Sequence, residues 1–131
     1  MIVNELAGSG GDAFPWFFRR EKIGPIVGTR TWGGLVGIGG GQPLRDGGFV
    51  TAPGFAFFSS DNGGEWIVEQ HGVDPDYVVP QRPDLVVNGH DPQLEKAIEL
   101  INEQLKNYPR IPARPKYPGR TSVTVPAGGG R

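Results

Sequence analysis

The chain has 131 residues, the length of one ordinary domain, and it has no cysteine, which excludes disulfides and thiolate metal sites. Glycine (22) and proline (13) are frequent, yet a hydrophobic fraction of 37% suffices for a core, so we predict a loop-rich folded domain. No apolar run has the length of a membrane span and the N-terminus lacks a signal-peptide pattern, so we expect a cytoplasmic protein without membrane contact.

Charge is distributed unevenly along the chain, although its net value is −1. All 14 acidic residues precede Tyr108, and the cationic residues that follow it are Arg110, Arg114, Lys116, Arg120 and Arg131. Basic tails of this kind bind nucleic acid or acidic surfaces in some proteins, but solvated tails are commoner, and we expect no nucleic-acid contact. Residues 109–131, which are rich in proline, are therefore predicted to form an extended or disordered arm after a domain of residues 1–108.

The N-terminal segment has the pattern of a strand, a turn, a helix and a second strand. Residues 1–7 are apolar enough for a short strand, and the glycine-rich residues 8–11 break it. Residues 13–22 fit a short helix that tolerates Pro15 in its first turn, and residues 23–28 fit the second strand. We therefore predict a βαβ unit with parallel strands.

The middle of the chain is predicted to combine glycine-rich bends with strands. Eight of the sixteen residues in 33–48 are glycine, which predicts a bent backbone without a regular strand or helix. Strands are predicted at residues 49–52, 55–59 and 65–69, and the last two are expected to form a hairpin around the turn residues 61–64.

One long helix is predicted near the end of the domain. Asp91 is a favourable N-cap, Pro92 fits the first helical position, and the helix is expected to end near Asn107. Its apolar residues have the spacing of one buried stripe: Leu94, Ala97, Ile98, Ile101 and Leu105.

The turn between the first strand and the first helix is the main candidate site. Ser9 is expected to be exposed there at a helix N-terminus, where backbone N–H groups stabilise negative charge. Ala7 and Gly11, two positions before and after it, are as small as a strained nucleophile elbow requires. From the residues alone, this interpretation competes evenly with that of a glycine-rich turn in which Ser9 caps the helix.

The same turn allows a second functional interpretation. Residues 8–13 (GSGGDA) match the G-x-G-x-x-A dinucleotide fingerprint. At the position where an acidic residue would bind the ribose of NAD the chain has Arg30, which would suit the 2′-phosphate of NADP instead. The rest of the chain supplies no further βα units, which disfavours this alternative. No set of residues has the spacing of metal ligands, so we expect no metal and no cofactor.

A nucleophilic serine needs a general base within hydrogen-bond reach, and the chain has only 2 histidines. His71 and His90 both lie beside turn glycines, and for each a surface-loop position is favoured over a catalytic one. Glu69 is placed in a mostly apolar strand, where alternation by itself predicts a solvated side chain.

Six segments in a fixed order form a more specific pattern: residues 4–12 (NELAGSGGD), 26–34 (IVGTRTWGG), 44–48 (LRDGG), 66–69 (WIVE), 72–76 (GVDPD) and 91–98 (DPQLEKAI). Together they resemble the C-terminal part of the catalytic domain in tricorn proteases and their relatives, the serine peptidases that include the C-terminal processing proteases. The resemblance is nearly continuous from residue 1 to about residue 106.

The resemblance implies an α/β fold with the layered sheets and helices of crotonase- and ClpP-like domains, of which this chain holds a part. It implies that Ser9 is the nucleophile, that the Gly10 N–H is one oxyanion donor, and that Glu69 orients the base through an intervening serine. The resemblance also argues against a catalytic role for His71 and His90, because the catalytic histidine of this family lies upstream of the nucleophile, in sequence that this chain does not have.

The resemblance further implies a parent peptidase that hydrolyses short peptides through an acyl-enzyme. That parent is expected to be a homo-oligomer with propeller and PDZ domains. We therefore expect the chain to be a C-terminal fragment that is inactive by itself. A non-enzymatic assembly module, whose long helix and basic arm dock a neighbouring subunit, is the remaining alternative.

Overall fold

The computed structural model describes residues 1–119 as a mixed α/β fold. In chain order its elements are β1 (Ile2–Val3), α1 (Gly10–Arg20), β2 (Val27–Gly28), β3 (Gly37–Gly40), β4 (Thr51–Phe55), β5 (Phe58–Ser59), a 3₁₀ turn (Asp61–Gly63), β6 (Glu65–Trp66), β7 (Tyr77–Val78), α2 (Pro83–Val86) and α3 (Pro92–Lys106). The short helix α2 is absent from the sequence-based prediction.

A three-stranded parallel sheet, in the order β1, β2, β7, contains the predicted βαβ unit. Val27 of β2 pairs with Ile2 on one side and with Tyr77 on the other. The parallel pairing is confirmed, and both strands are shorter than predicted. Helix α1 begins at Gly10, earlier than expected, because the Ser9 carbonyl accepts hydrogen bonds from the N–H groups of Asp12 and Ala13 and so starts the helix.

The core joins the parallel sheet to the loops that follow it. Its buried apolar residues are Val3, Ile26, Leu35, Ile67, Val68 and Val73. Trp16 and Phe18 of α1 pack against this cluster. Burying one side chain of this size stabilises a fold by about 1.5–3 kcal/mol. The core therefore fixes α1, and with it the turn at Ser9, against residues 67–73.

The glycine-rich segment contains a strand, and the prediction of irregular backbone throughout residues 33–48 is wrong. β3 pairs antiparallel with β4, which spans Thr51–Phe55 and so begins and ends later than the strand predicted at 49–52. The Phe55 ring occupies the space that a side chain on Gly37 would need. An aromatic ring that covers a strand glycine supplies the packing that the glycine lacks.

The predicted hairpin is confirmed in its pairing but not in its length. β5 pairs antiparallel with β6, Phe58 opposite Trp66. The predicted strand at 65–69 ends at Trp66, because Val68 and Gln70 have positive φ angles of 68° and 62°. This reversal brings the Gln70 N–H to the Gly33 carbonyl at 2.7 Å, a pairing that lies outside any strand.

Helix α3 has the predicted bounds and the predicted cap, since the Asp91 carboxylate accepts the Leu94 N–H at 3.0 Å. The prediction of a buried stripe is wrong, because four of its five residues are about half exposed: Leu94 (47%), Ile98 (49%), Ile101 (55%) and Leu105 (57%). The buried residue of α3 is instead Gln93, whose amide donates to the Val79 carbonyl. The stripe faces the parallel sheet but is only partly covered by it, since Ala97 and Ile101 line a cavity together with Met1 and Val27.

The end of the described chain is exposed. Residues 109–119 form neither a helix nor a strand, while residues 120–131 of the predicted arm lie outside the described residues. None of the helices in the described part of the chain combines the length and the hydrophobicity that a membrane span requires.

Candidate active site

Ser9 occupies an unusual backbone conformation at the start of α1. Its φ is 53° and its ψ is −108°, a combination that residues with a side chain rarely adopt and that costs on the order of 1–3 kcal/mol. The residue is exposed, and its side chain makes no capping hydrogen bond. The backbone of Ser9 therefore caps the helix, while its hydroxyl stays available for chemistry.

The residues around Ser9 leave no space for larger side chains. A Cβ atom added to Gly11 would lie 3.1 Å from the Ala7 Cβ, so the two small residues singled out in the sequence face each other. A Cβ atom added to Gly8 would lie 2.5 Å from the Trp32 ring. The turn is therefore as tight as a nucleophile elbow requires.

The Gly10 N–H is unpaired at the start of α1 in the part of the chain that the structure describes. Gly10 is the first residue of α1 and is exposed. Within residues 1–119 its N–H has no hydrogen-bond acceptor, whereas the next one, of Gly11, donates to the Gly8 carbonyl at 2.8 Å. A free N–H at the positive end of a helix dipole, one residue after the serine, has the position expected of an oxyanion donor.

Asp12 is a site residue whose role the sequence reasoning missed. Its side chain is fully buried and accepts three backbone hydrogen bonds: from Ser9 (3.0 Å) and Gly34 (3.0 Å) to Oδ2, and from Gly33 (2.8 Å) to Oδ1. The local signal was present, because a serine followed three residues later by an acid is the sequence pattern of a capping box, in which the acid accepts the N–H of the serine. The contacts to Gly33 and Gly34 had no signal in the local sequence.

Glu69 is partly buried and hydrogen-bonded, so the prediction of a solvated side chain is wrong. Its Oε2 accepts the N–H groups of Leu35 at 2.7 Å and Val36 at 2.6 Å. Alternation fails here because the strand ends before Glu69, at Trp66. The reversed backbone around residue 69 turns this carboxylate toward the loop that follows Gly34.

Ser9 and Glu69 line the same groove. It has two adjoining parts, one of about 610 Å³ and one of about 380 Å³. The larger part is lined by Ser9, Trp32, Gly34, Val36, Gly37, Ile38, Pro53, Phe55 and Glu69. The smaller part shares Val36 and Glu69 with it and is otherwise mostly apolar. A concave apolar surface with a few polar groups is typical of a substrate site.

The two histidines bind carboxylates on the surface. His71 Nε2 lies 2.8 Å from Asp74 Oδ2, and His90 Nδ1 lies 3.2 Å from Glu95 Oε1. Both rings are exposed, and neither is hydrogen-bonded to Ser9. Among residues 1–119, no three His, Cys, Asp or Glu side chains lie together as metal ligands would.

The family to which the chain belongs bears on the alternatives for the turn at Ser9. The model of Peptidase family S41 matches residues 1–79. The chain belongs to peptidase family S41. Membership of this peptidase family favours the nucleophile interpretation of Ser9 over the dinucleotide fingerprint in residues 8–13.

Individual relatives of this S41 chain are tricorn proteases. The tricorn protease of Thermoplasma acidophilum is 44% identical over 115 residues, which cover 87% of this chain and 11% of that protein. Tricorn protease homolog 1 of Streptomyces coelicolor is 46% identical over 108 residues, which cover 82% of this chain and 10% of that protein. A crystal structure of the tricorn protease matches with a TM-score of 0.72 and 44% identity over 81% of this chain and 10% of that one. The S41 chain thus spans about a tenth of the length of these relatives.

Proposed function

We propose that this chain carries the nucleophile and one oxyanion donor of a serine peptidase. The observation that carries the proposal is the conformation of Ser9, with a positive φ, an uncapped hydroxyl and the free Gly10 N–H beside it. Strained backbone of this kind persists only where the surrounding structure enforces it, and it concentrates at active sites. The groove that Ser9 shares with Glu69 supports the same proposal.

In the proposed reaction the Ser9 Oγ attacks the carbonyl carbon of a peptide bond while a general base takes the hydroxyl proton. The Gly10 N–H donates to the tetrahedral oxyanion, and removal of one such donor costs about 10²–10³ in kcat. The C–N bond then breaks, and the base returns the proton to the leaving amine. Water then attacks the acyl carbon while the base takes its proton, the bond from that carbon to Ser9 Oγ breaks, and the base returns the proton to Oγ.

Glu69 is proposed to orient the base system. Its Oε2 is engaged by two backbone N–H groups, while Oε1 has no hydrogen-bond partner within residues 1–119. A carboxylate with one oxygen fixed and the other free holds its direction and can still accept a hydrogen bond from an orienting serine or from the base. Its place in the groove with Ser9 supports this role.

The base itself is proposed to come from sequence outside this chain. His71 and His90 are bound to Asp74 and Glu95 and not to Ser9, which supports the proposal. The chain by itself is then inactive, since a serine without its base loses most of its catalytic power. In the same proposal the added sequence completes the crotonase- and ClpP-like layers, and the completed, oligomeric peptidase acts on short peptides.

Complementation tests this proposal. The Thermoplasma acidophilum tricorn protease, with the region that matches this chain deleted, is mixed with the full chain or with its Ser9→Ala variant and assayed on fluorogenic peptides. We expect cleavage only in the mixture that contains Ser9. Ser9-dependent cleavage by the chain alone would overturn the external base and return His71 and His90 to consideration. Equal cleavage with Ser9→Ala would overturn Ser9 as the nucleophile.

A further inference from the structure

The loop of residues 33–36 is bound to two carboxylates through four successive backbone N–H groups. The first two, of Gly33 and Gly34, donate to the buried Asp12 at 2.8 and 3.0 Å. Asp12 also accepts the Ser9 N–H at 3.0 Å, and the same N–H donates to the Gly34 carbonyl at 3.0 Å. The Asp12 carboxylate therefore ties the nucleophile residue directly to the first half of this loop.

The second half of the loop is tied to Glu69. Leu35 and Val36 donate to its Oε2 at 2.7 and 2.6 Å. Gly33 is tied to the same neighbourhood by its carbonyl, which accepts the Gln70 N–H at 2.7 Å. The four-residue loop therefore links the Asp12 carboxylate, next to Ser9, to the Glu69 carboxylate across the groove through hydrogen bonds at each of its N–H groups.

The backbone of this loop has little freedom to adjust. Gly33 has a φ of 85°, and a Cβ atom there would lie 2.6 Å from the Gly72 nitrogen. Leu35 is buried in the core. A loop that is packed closely and bonded at each successive N–H has one geometry, so a displacement at one end moves the other end.

We propose that Asp12 is a positioning residue of the peptidase site. Its buried carboxylate sets the separation of Ser9 from Glu69 through the loop of residues 33–36. This inference rests on the proposed function of Ser9 and Glu69. Asp12 is buried and does not line the groove, so it acts on the reaction only through the groups that it holds.

Two measurements on the full chain test the contacts without any catalysis. Scalar couplings across hydrogen bonds are expected between the Asp12 carboxyl carbon and the amide nitrogens of Gly33 and Gly34 in the unmodified chain. In Asp12→Asn one acceptor oxygen becomes an amide donor that faces N–H groups, so hydrogen exchange at Ser9, Gly33 and Gly34 is expected to accelerate. Absence of the couplings, or unchanged exchange at these amides, would overturn the proposal.

Kinetics in the complemented peptidase test the effect on the reaction. A misplacement of about 1 Å lowers rates by about 10²-fold, so Asp12→Asn is expected to lower kcat about 10- to 100-fold with a change in KM of less than about threefold. The matched control is Asp91→Asn, which alters another carboxylate that accepts a backbone N–H, remote from the groove, and is expected to leave kcat unchanged. A role in folding alone would lower the amount of active enzyme without accelerating exchange at Gly33 and Gly34 in the folded fraction.

The outcomes separate this inference from the proposed function. If Asp12→Asn accelerates exchange but lowers kcat, per titrated active site, no more than the control does, Asp12 holds the loop without positioning the site, and the inference is wrong. If Ser9→Ala retains activity, the proposed function fails, whatever Asp12 does. Should Asp12→Asn not fold, Asp12→Glu replaces it in the kinetic test, because it keeps the charge but displaces the carboxylate by one methylene.

Discussion

The conformation of Ser9 predicts that this position is strained, and that glycine there gives a more stable chain than alanine. Ser9→Ala keeps a Cβ atom at a φ of 53° and a ψ of −108°, so the strain remains. Ser9→Gly removes the Cβ atom and releases the strain. Neither substitution loses a side-chain cap, since the Ser9 hydroxyl makes none.

The size of the difference follows from two opposing terms. Strain at such a conformation is on the order of 1–3 kcal/mol, and glycine gains about 0.4–1 kcal/mol of additional entropy in the unfolded chain. The net expectation is that Ser9→Gly is more stable than Ser9→Ala by about 1 kcal/mol. For a domain of this size the difference corresponds to a rise in Tm of about 3–6 °C.

Thermal unfolding followed by circular dichroism and urea unfolding at 25 °C both measure this difference. Lys22 provides a matched calibration, because it is an exposed residue outside the groove with a φ of 52°. Glycine is expected to exceed alanine in stability at Lys22 as well. If Ser9→Ala proves as stable as Ser9→Gly while the pair at Lys22 differs as expected, Ser9 is not strained, and the nucleophile-elbow interpretation loses its main support.

Three further predictions concern the groove, the core and the long helix. Gly8→Ala is expected to move the Trp32 ring, because the new Cβ atom would lie 2.5 Å from it. The indole N–H resonance of Trp32 should then shift while the signals of the other two tryptophans stay in place. Three unchanged signals would contradict the geometry. Ile26→Ala, at a fully buried position, should lower the free energy of unfolding in urea by about 2–5 kcal/mol. Ile98→Ala, at a half-exposed position, should lower it by less than about 1 kcal/mol, and equal losses would refute the assigned burial. The pKa of Asp91 is lowered, first by the hydrogen bond from the Leu94 N–H that caps α3 and then by the hydrogen bond from the Gln81 amide. Because the pKa is lower in the folded chain than in the unfolded one, the stabilisation present at neutral pH is lost as the pH falls below about 4. Asp91→Asn keeps the cap without titrating, so its Tm should fall less between pH 7 and pH 3 than that of the unmodified chain, and identical slopes would contradict the assigned cause.

Features that depend on neighbouring residues were predictable from the sequence. The start of α3 follows from Asp91 and Pro92, whose effects act within one helical turn. The turn at Ser9 follows from the glycines on either side of it. In both places the local preference and the fold agree, which is why a pattern of a few residues was sufficient.

Features that depend on distant contacts were not predictable in this way. Glu69 faces the loop after Gly34 because the backbone reverses at Val68, and that reversal is enforced by contacts with residues more than thirty positions away. The spacing of apolar residues on α3 identified an apolar face correctly but carries no information on what covers it. Two of the three hydrogen bonds of Asp12 join it to Gly33 and Gly34, more than twenty positions away along the chain.

The parallel sheet has a consequence for the order in which the chain folds. Its strand pairs join Ile2 to Val27 and Val27 to Tyr77, so no pairing in this sheet closes a short loop. Closing long loops before any contact is gained slows folding, whereas a capped helix such as α3 forms from local contacts alone. During synthesis the ribosome must release the chain beyond Tyr77 before the sheet can close. The turn at Ser9 is synthesised well before Tyr77, yet it reaches its strained form only after the chain that braces it has emerged.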